Sequence, residues 1–114
     1  MANDNNKRIT IDLITHNPNI NEYALIIVET RPWDGSEGRL LELQNKLNDY
    51  LEFVQGGHLK KLYPKSIGNS IRIQLDSVYG LDGTTKEFLE KAENILLDEG
   101  VKFCFNRLKT SIKK

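Results

Sequence analysis

One cysteine among 114 residues, Cys104, is too few for an intramolecular disulfide, and it excludes any zinc site built from cysteines alone. With no disulfide framework, the chain reads as a protein of a reducing compartment. Long apolar runs are also missing. The longest, Ala24 to Val28, is far too short to span a bilayer. The polar start "MANDNNKR" lacks the apolar stretch of a signal peptide. A soluble cytoplasmic protein with no membrane contact is expected.

An excess of one charge is absent too. Sixteen basic and sixteen acidic residues cancel, so no global field draws the chain to nucleic acid or an anionic surface. Basic residues do gather in blocks: Lys60, Lys61, Lys65 and Arg72, then Lys102, Arg107, Lys109, Lys113 and Lys114. No stacking aromatics interleave with them on an exposed face, so nucleic acid is not the expected partner. The two histidines, His16 and His58, form no H-x-x-x-H or H-E-x-x-H spacing. Walker A, G-x-G-x-x-G and G-x-S-x-G are all missing. A nucleophilic Cys104 would need a paired base, and His16 is expected at the opposite edge of the sheet. We therefore assign no catalytic residue, no metal and no cofactor.

What is present alternates. "RITIDLITH" reads as a strand with Ile9, Ile11 and Leu13 inside. "NPNINE", Asn17 to Glu22, is a turn, and "YALIIVET" is a central strand apolar on both faces. From Ser36 to Val54 the period changes: Leu40, Leu43, Leu47, Leu51 and Val54 form a helical stripe that stops at Gly56–Gly57. "HLKKLYPKSIGN" is an irregular connection, with a helical turn at Leu59–Tyr63 at most. "SIRIQLDSV" is a third strand with Ile71, Ile73 and Leu75 inside. A second helix spans about Lys86 to Glu99, opened by a Thr84–Glu87 capping box, with Phe88, Leu89, Ala92, Ile95 and Leu96 inward. "VKFCFNRL" is the fourth strand. Residues 1–7 are expected to be a disordered tail, 8–108 a single α+β domain, and 109–114 a basic tail.

The order β-β-α-β-α-β with right-handed crossovers predicts a two-layer sandwich. A four-stranded mixed sheet in the order 1-2-3-4 would carry two helices on one face. The uncovered face would show Asp12, Arg72, Gln74, Asp76, Lys102, Cys104 and Asn106.

Strands two and three would then run parallel, with their carboxyl ends on one rim, where open α/β sheets tend to hold ligands. "ETRPWDGS" would meet "LDSVYGLDGTT" there. Candidate binding residues are Arg31, Trp33, Asp34, Ser36, Asp76 and Tyr79, with Lys7 and Arg8 able to join them. The same residues have structural roles open to them. Asp34 or Ser36 can cap the helix, and Trp33 can close the core with its indole N–H on a carbonyl. An anion pocket at the helix N-terminus and a partner hot spot on Trp33 and Arg31 are the functional alternatives.

"IDLITHNP", "ETRPWDGS" and "YPKSIGNSIRIQLD" together resemble a family of small bacterial proteins of unknown function. Its pattern is I-D-L-I-T-H-x-P, E-x-R-P-W-D-G-S and Y-P…R-I-x-L-D, over about residues 9–105. The resemblance implies a bacterial source and carries no activity. Two functions stay open. One is a non-enzymatic protein-interaction module, of immunity or antitoxin type or self-associating as a homodimer. The other is a small-ligand binder or enzyme with a pocket at the rim of strands two and three.

Overall fold

The alternating segments become strands and the periodic segments become helices in a computed structural model that describes residues 9–109. The expected tails, residues 1–7 and all but Lys109 of 109–114, lie outside the described residues, as do Lys7 and Arg8. The elements are β1 (Leu13–Asn17), β2 (Glu22–Glu29), α1 (Glu37–Gln55), α2 (His58–Leu62), β3 (Ser70–Ser77), α3 (Gly83–Asp98) and β4 (Lys102–Arg107), with a 3-10 turn at Pro64–Ser66. The sheet order is β1-β2-β3-β4. β1 pairs antiparallel with β2, and β2, β3 and β4 are mutually parallel. The helical turn expected at Leu59–Tyr63 is present as α2, one residue earlier, and a 3-10 turn follows it in the connection.

Register shows why one face is covered. Leu25 pairs with Ile73 and Ile73 with Phe103, so these side chains share a face. They join Leu43, Leu47, Tyr50 and Phe53 of α1 and Leu89 and Leu96 of α3 in one buried cluster. Both long helices therefore pack on the same side. The buried stripe of α1 runs through Tyr50 and Phe53 as well as its leucines, while Leu40, Leu51 and Val54 lie at its margin. On α3, Ile95 points to solvent rather than inward, at 63% exposure.

β1 departs from the expected strand. The chain bends at Asp12, and regular pairing begins only at Leu13. The Asp12 carboxylate accepts the Val28 backbone N–H (3.0 Å), and the Asp12 N–H donates to the Tyr50 hydroxyl (3.0 Å). This break slips the alternation, because one displaced residue reverses every later side chain. Ile14, opposite Leu25, joins the core beside Ile9 and Ile11. Leu13 is 49% exposed instead of buried.

Both long helices start on acceptor side chains. Ser36 caps α1 through its hydroxyl, which accepts the Arg39 N–H (3.3 Å), and Asp34 braces that cap by accepting the Ser36 N–H (2.9 Å). α3 begins three residues before the expected Lys86. Its cap is Asp82, which accepts from the Thr85 N–H (3.1 Å) and the Thr85 hydroxyl; the Thr84–Glu87 box is not used.

Candidate functional site

The Arg31–Arg39 turn and the turn after β3 do meet at one rim, and the contact is tight. A Cβ built on Gly35 (φ +72°) would lie 2.7 Å from the Asp82 carboxylate oxygen and 3.3 Å from Thr84. Glycine is needed here both for its left-handed backbone and for the missing side chain. Trp33 turns inward and is 9% exposed. Its indole N–H donates to Ser77 Oγ (2.9 Å), a side chain, where a backbone carbonyl was expected. Ser77 is fully buried; it donates to the Tyr79 carbonyl (2.7 Å) and accepts the Tyr79 N–H (3.2 Å). One hydroxyl thus ties the tryptophan of one turn to the backbone of the other.

Charged side chains close the rim from outside. Arg31 grips Glu29 with two parallel bonds, Nε to Oε2 and Nη2 to Oε1, both 2.9 Å. It also reaches Glu42 at 3.0 Å. Arg39 donates to Glu42 (2.8 Å) and to the Pro32 carbonyl (3.1 Å), and its guanidinium lies 4.3 Å from the Trp33 ring centre. Two cations and two anions alternate, so the cluster is neutral. Glu42 therefore serves the arginines, whereas its spacing alone suggests a helical pair with Lys46.

The pKa shifts follow from this arrangement. Burial alone would raise the Glu29 carboxyl. Hydrogen bonds from the Arg31 side chain and backbone, with the charges of Arg31 and Arg39, outweigh it and hold Glu29 at about 2. Bonds from Arg39 and Arg31 hold Glu42 below the usual range. The Ser36 N–H and hydroxyl hold Asp34 down, and the Thr85 hydroxyl does the same for Asp82. Because Glu29 titrates lower in the folded chain than its ordinary 4.5, its contribution to stability is complete above that value. It is lost as pH falls from about 4.5 to about 2. Glu29→Gln should remove this portion of the acid limb. Urea midpoints of parent and variant will converge across that window; parallel curves down to its lower end would show that the pair does not stabilise the fold.

The six candidates do not form one site. Arg31, Trp33, Asp34 and Ser36 share the turn, and Tyr79 joins through its backbone. Asp76 stands on the other face of the sheet, because it is one residue out of phase with Ser77. There it accepts from Gln74 Nε2 (2.7 Å) and Asn106 Nδ2 (3.1 Å). The space left among Arg31, Trp33, Arg39 and Glu42 is about 30 Å³, room for about one water. The α1 N-terminus already holds a carboxylate of its own chain, Asp34. Among the described residues no group of three or more His, Cys, Asp or Glu could hold a metal.

The open sheet face holds the other polar constellation. Glu22, placed in a turn by its sequence context, is the first residue of β2 and only 3% exposed. Its carboxylate receives Arg72, Lys102 (3.2 Å) and Ser70 (3.3 Å). The Cys104 thiol donates to Gln74 Oε1 (3.4 Å), and burial raises its pKa. Side chains from β2, β3 and β4 therefore fix one another across this face. Alternation placed Arg72, Gln74, Asp76, Cys104 and Asn106 there, but no sequence signal drew Glu22 into the group.

A family model described as a family of unknown function (DUF6572) matches residues 1–109. No curated protein and no solved structure matches the chain. Among the described residues no helix is long and apolar enough to cross a membrane.

Proposed function

We propose that this chain, which belongs to that family of unknown function, is a non-enzymatic protein-interaction module that binds its partner through the open face of the sheet. The reading includes a bacterial, cytoplasmic protein and a partner of the toxin–immunity kind. One observation carries it: the rim that would have held a small ligand is filled. Trp33 is buried, both arginines are matched by carboxylates, and about 30 Å³ remains. Among the described residues no helix packs on the other face of the sheet, although Glu22, Ala24 and Ile26 of β2 are buried there. Its polar side chains are held by one another before any partner arrives, which lowers the ordering cost of binding.

The experiment uses two variants. Gln74→Arg alters the open face, and Arg31→Ala empties the rim clamp; both should keep the circular dichroism of the parent. Affinity capture from the source cell should return a stoichiometric protein with the parent and with Arg31→Ala, and lose it with Gln74→Arg. A thermal-shift screen against nucleotides and organic acids tests the opposite reading. A stabilising small molecule whose effect vanishes in Arg31→Ala would replace the interaction module with a ligand-binding rim.

A further inference from the structure

β4 closes the sheet on one side only. Its residues alternate in the direction of their backbone groups. The Leu108 N–H donates to the Ser77 carbonyl (2.7 Å), and β3 pairs with β4 in a regular parallel register. Lys102, Cys104 and Asn106 therefore spend their N–H and C=O groups on β3. Phe103, Phe105 and Arg107 aim theirs outward, where no strand pairs with them among the described residues. The strand is a poor edge by the usual protective devices: it has no proline, no glycine and no bulge, and its centre, Phe103 to Asn106, is uncharged. β1, at the other edge, is shorter and is broken at Asp12.

Beside that edge runs an open groove of about 510 Å³ between β4 and α3. Leu81, Leu89, Phe103 and Phe105 supply its apolar floor, and Lys86, Glu90 and Glu93 of α3 border it. Lys86 and Glu93 lie at opposite ends of this border.

We propose that a second copy of this chain occupies the β4 edge, pairing β4 antiparallel with its counterpart about a two-fold axis through Cys104. A two-fold axis normal to the sheet keeps the helices of both copies on the same side. The outward-facing backbone groups of Phe103 and Phe105 then exchange hydrogen bonds with those of Phe105 and Phe103 of the partner, and the half-buried Phe105 rings meet across the seam. Reversal of direction sets Lys86 of each copy against Glu93 of the other, so the border charges are complementary in this arrangement. The two Cys104 residues face each other at a non-hydrogen-bonded position, where Cα atoms of antiparallel strands stand about 4.5 Å apart, within disulfide reach. This inference goes beyond the partner-binding reading and does not depend on it: it uses the strand edge and takes up only Cys104, at the margin of the polar face.

Sedimentation of the full chain and thiol cross-linking test it together. The parent should be a dimer at about 100 µM. Diamide, which takes up the two protons and two electrons released by a pair of thiols, should convert that dimer to a disulfide-linked species lost in Cys104→Ser. Lys86→Glu and Glu93→Lys each turn two attractions into two repulsions and should weaken the dimer about tenfold. The double variant should restore it. Both positions are exposed on α3, so each variant is checked for folding by circular dichroism. A monomer at that concentration overturns the proposal. So does a dimer without a Cys104 cross-link, or one whose single variants are not rescued by the double. None of these outcomes bears on whether Gln74→Arg loses a partner.

Discussion

Trp33→Ala should destabilise the chain by about 3–5 kcal/mol, the usual cost of emptying a large aromatic site in a core. The ring is 9% exposed and packs in the same cluster as Ile27, Leu43 and Leu75. Two further interactions go with the cavity, and one of them is what joins the two turns. Ser77 Oγ, fully buried, loses the indole N–H that it accepts. The Arg39 guanidinium loses the ring beneath it. The turn after β2 loses its only side-chain bond to the turn after β3 among those described, leaving Gly35 against Asp82 to hold the two together.

Trp33→Phe separates packing from hydrogen bonding. It keeps much of the apolar contact and removes the N–H, so its cost should be smaller, about 1–3 kcal/mol. Urea midpoints followed by far-ultraviolet circular dichroism will rank the three proteins, since Trp33 is the only tryptophan and its fluorescence disappears in both variants. A midpoint for Trp33→Ala equal to that of the parent would show a ring outside the core and reopen the rim as a binding surface.

Much of this arrangement is legible from periodicity alone. Isoleucines and leucines at every second position located β3, and leucines at every third or fourth position located α1. Short connections and handedness then gave the sheet order. The failures share one cause: a polar side chain acting in place of backbone. Asp12 takes the Val28 N–H and breaks β1, so a clean alternation from Ile9 to Leu13 was misleading. Asp82 takes the Thr85 N–H and starts α3 early, although Thr84 and Glu87 have capping-box spacing. Ser77 follows Ile73 and Leu75 in phase and is buried with them, although the sequence reading assigned it to neither face. The rim itself was readable as a meeting of two turns. The Arg39–Glu42 pair has helical i,i+3 spacing and was open to reading; that Glu29 and Arg31 from β2 and its turn close on it into one neutral cluster was not, because that contact joins different elements.

Arg72→Met should cost about 3 kcal/mol, and for a reason unlike that of Trp33. Glu22 is nearly inaccessible to water, and a carboxylate removed from water is tolerated only with close partners. Arg72 is its nearest partner; it stands on β3 beside Ala24, whose single methyl group leaves room for the arginine stem to turn toward Glu22. Without Arg72, Lys102 and Ser70 remain, but Lys102 is largely exposed and its attraction is screened. The pair is a cost that the fold carries rather than a source of stability. Arg72 Nε is buried with no hydrogen-bond partner among the described residues, so even the intact pair is incompletely satisfied. The double variant Glu22→Leu/Arg72→Met should accordingly recover most of the loss, to within about 1 kcal/mol of the parent, because apolar groups of similar volume need no partners. Denaturation curves of parent, single and double variants give the result directly. A harmless Arg72→Met, or a double variant weaker than the single, would mean that the carboxylate is solvated and that the polar face is not held in place by this pair.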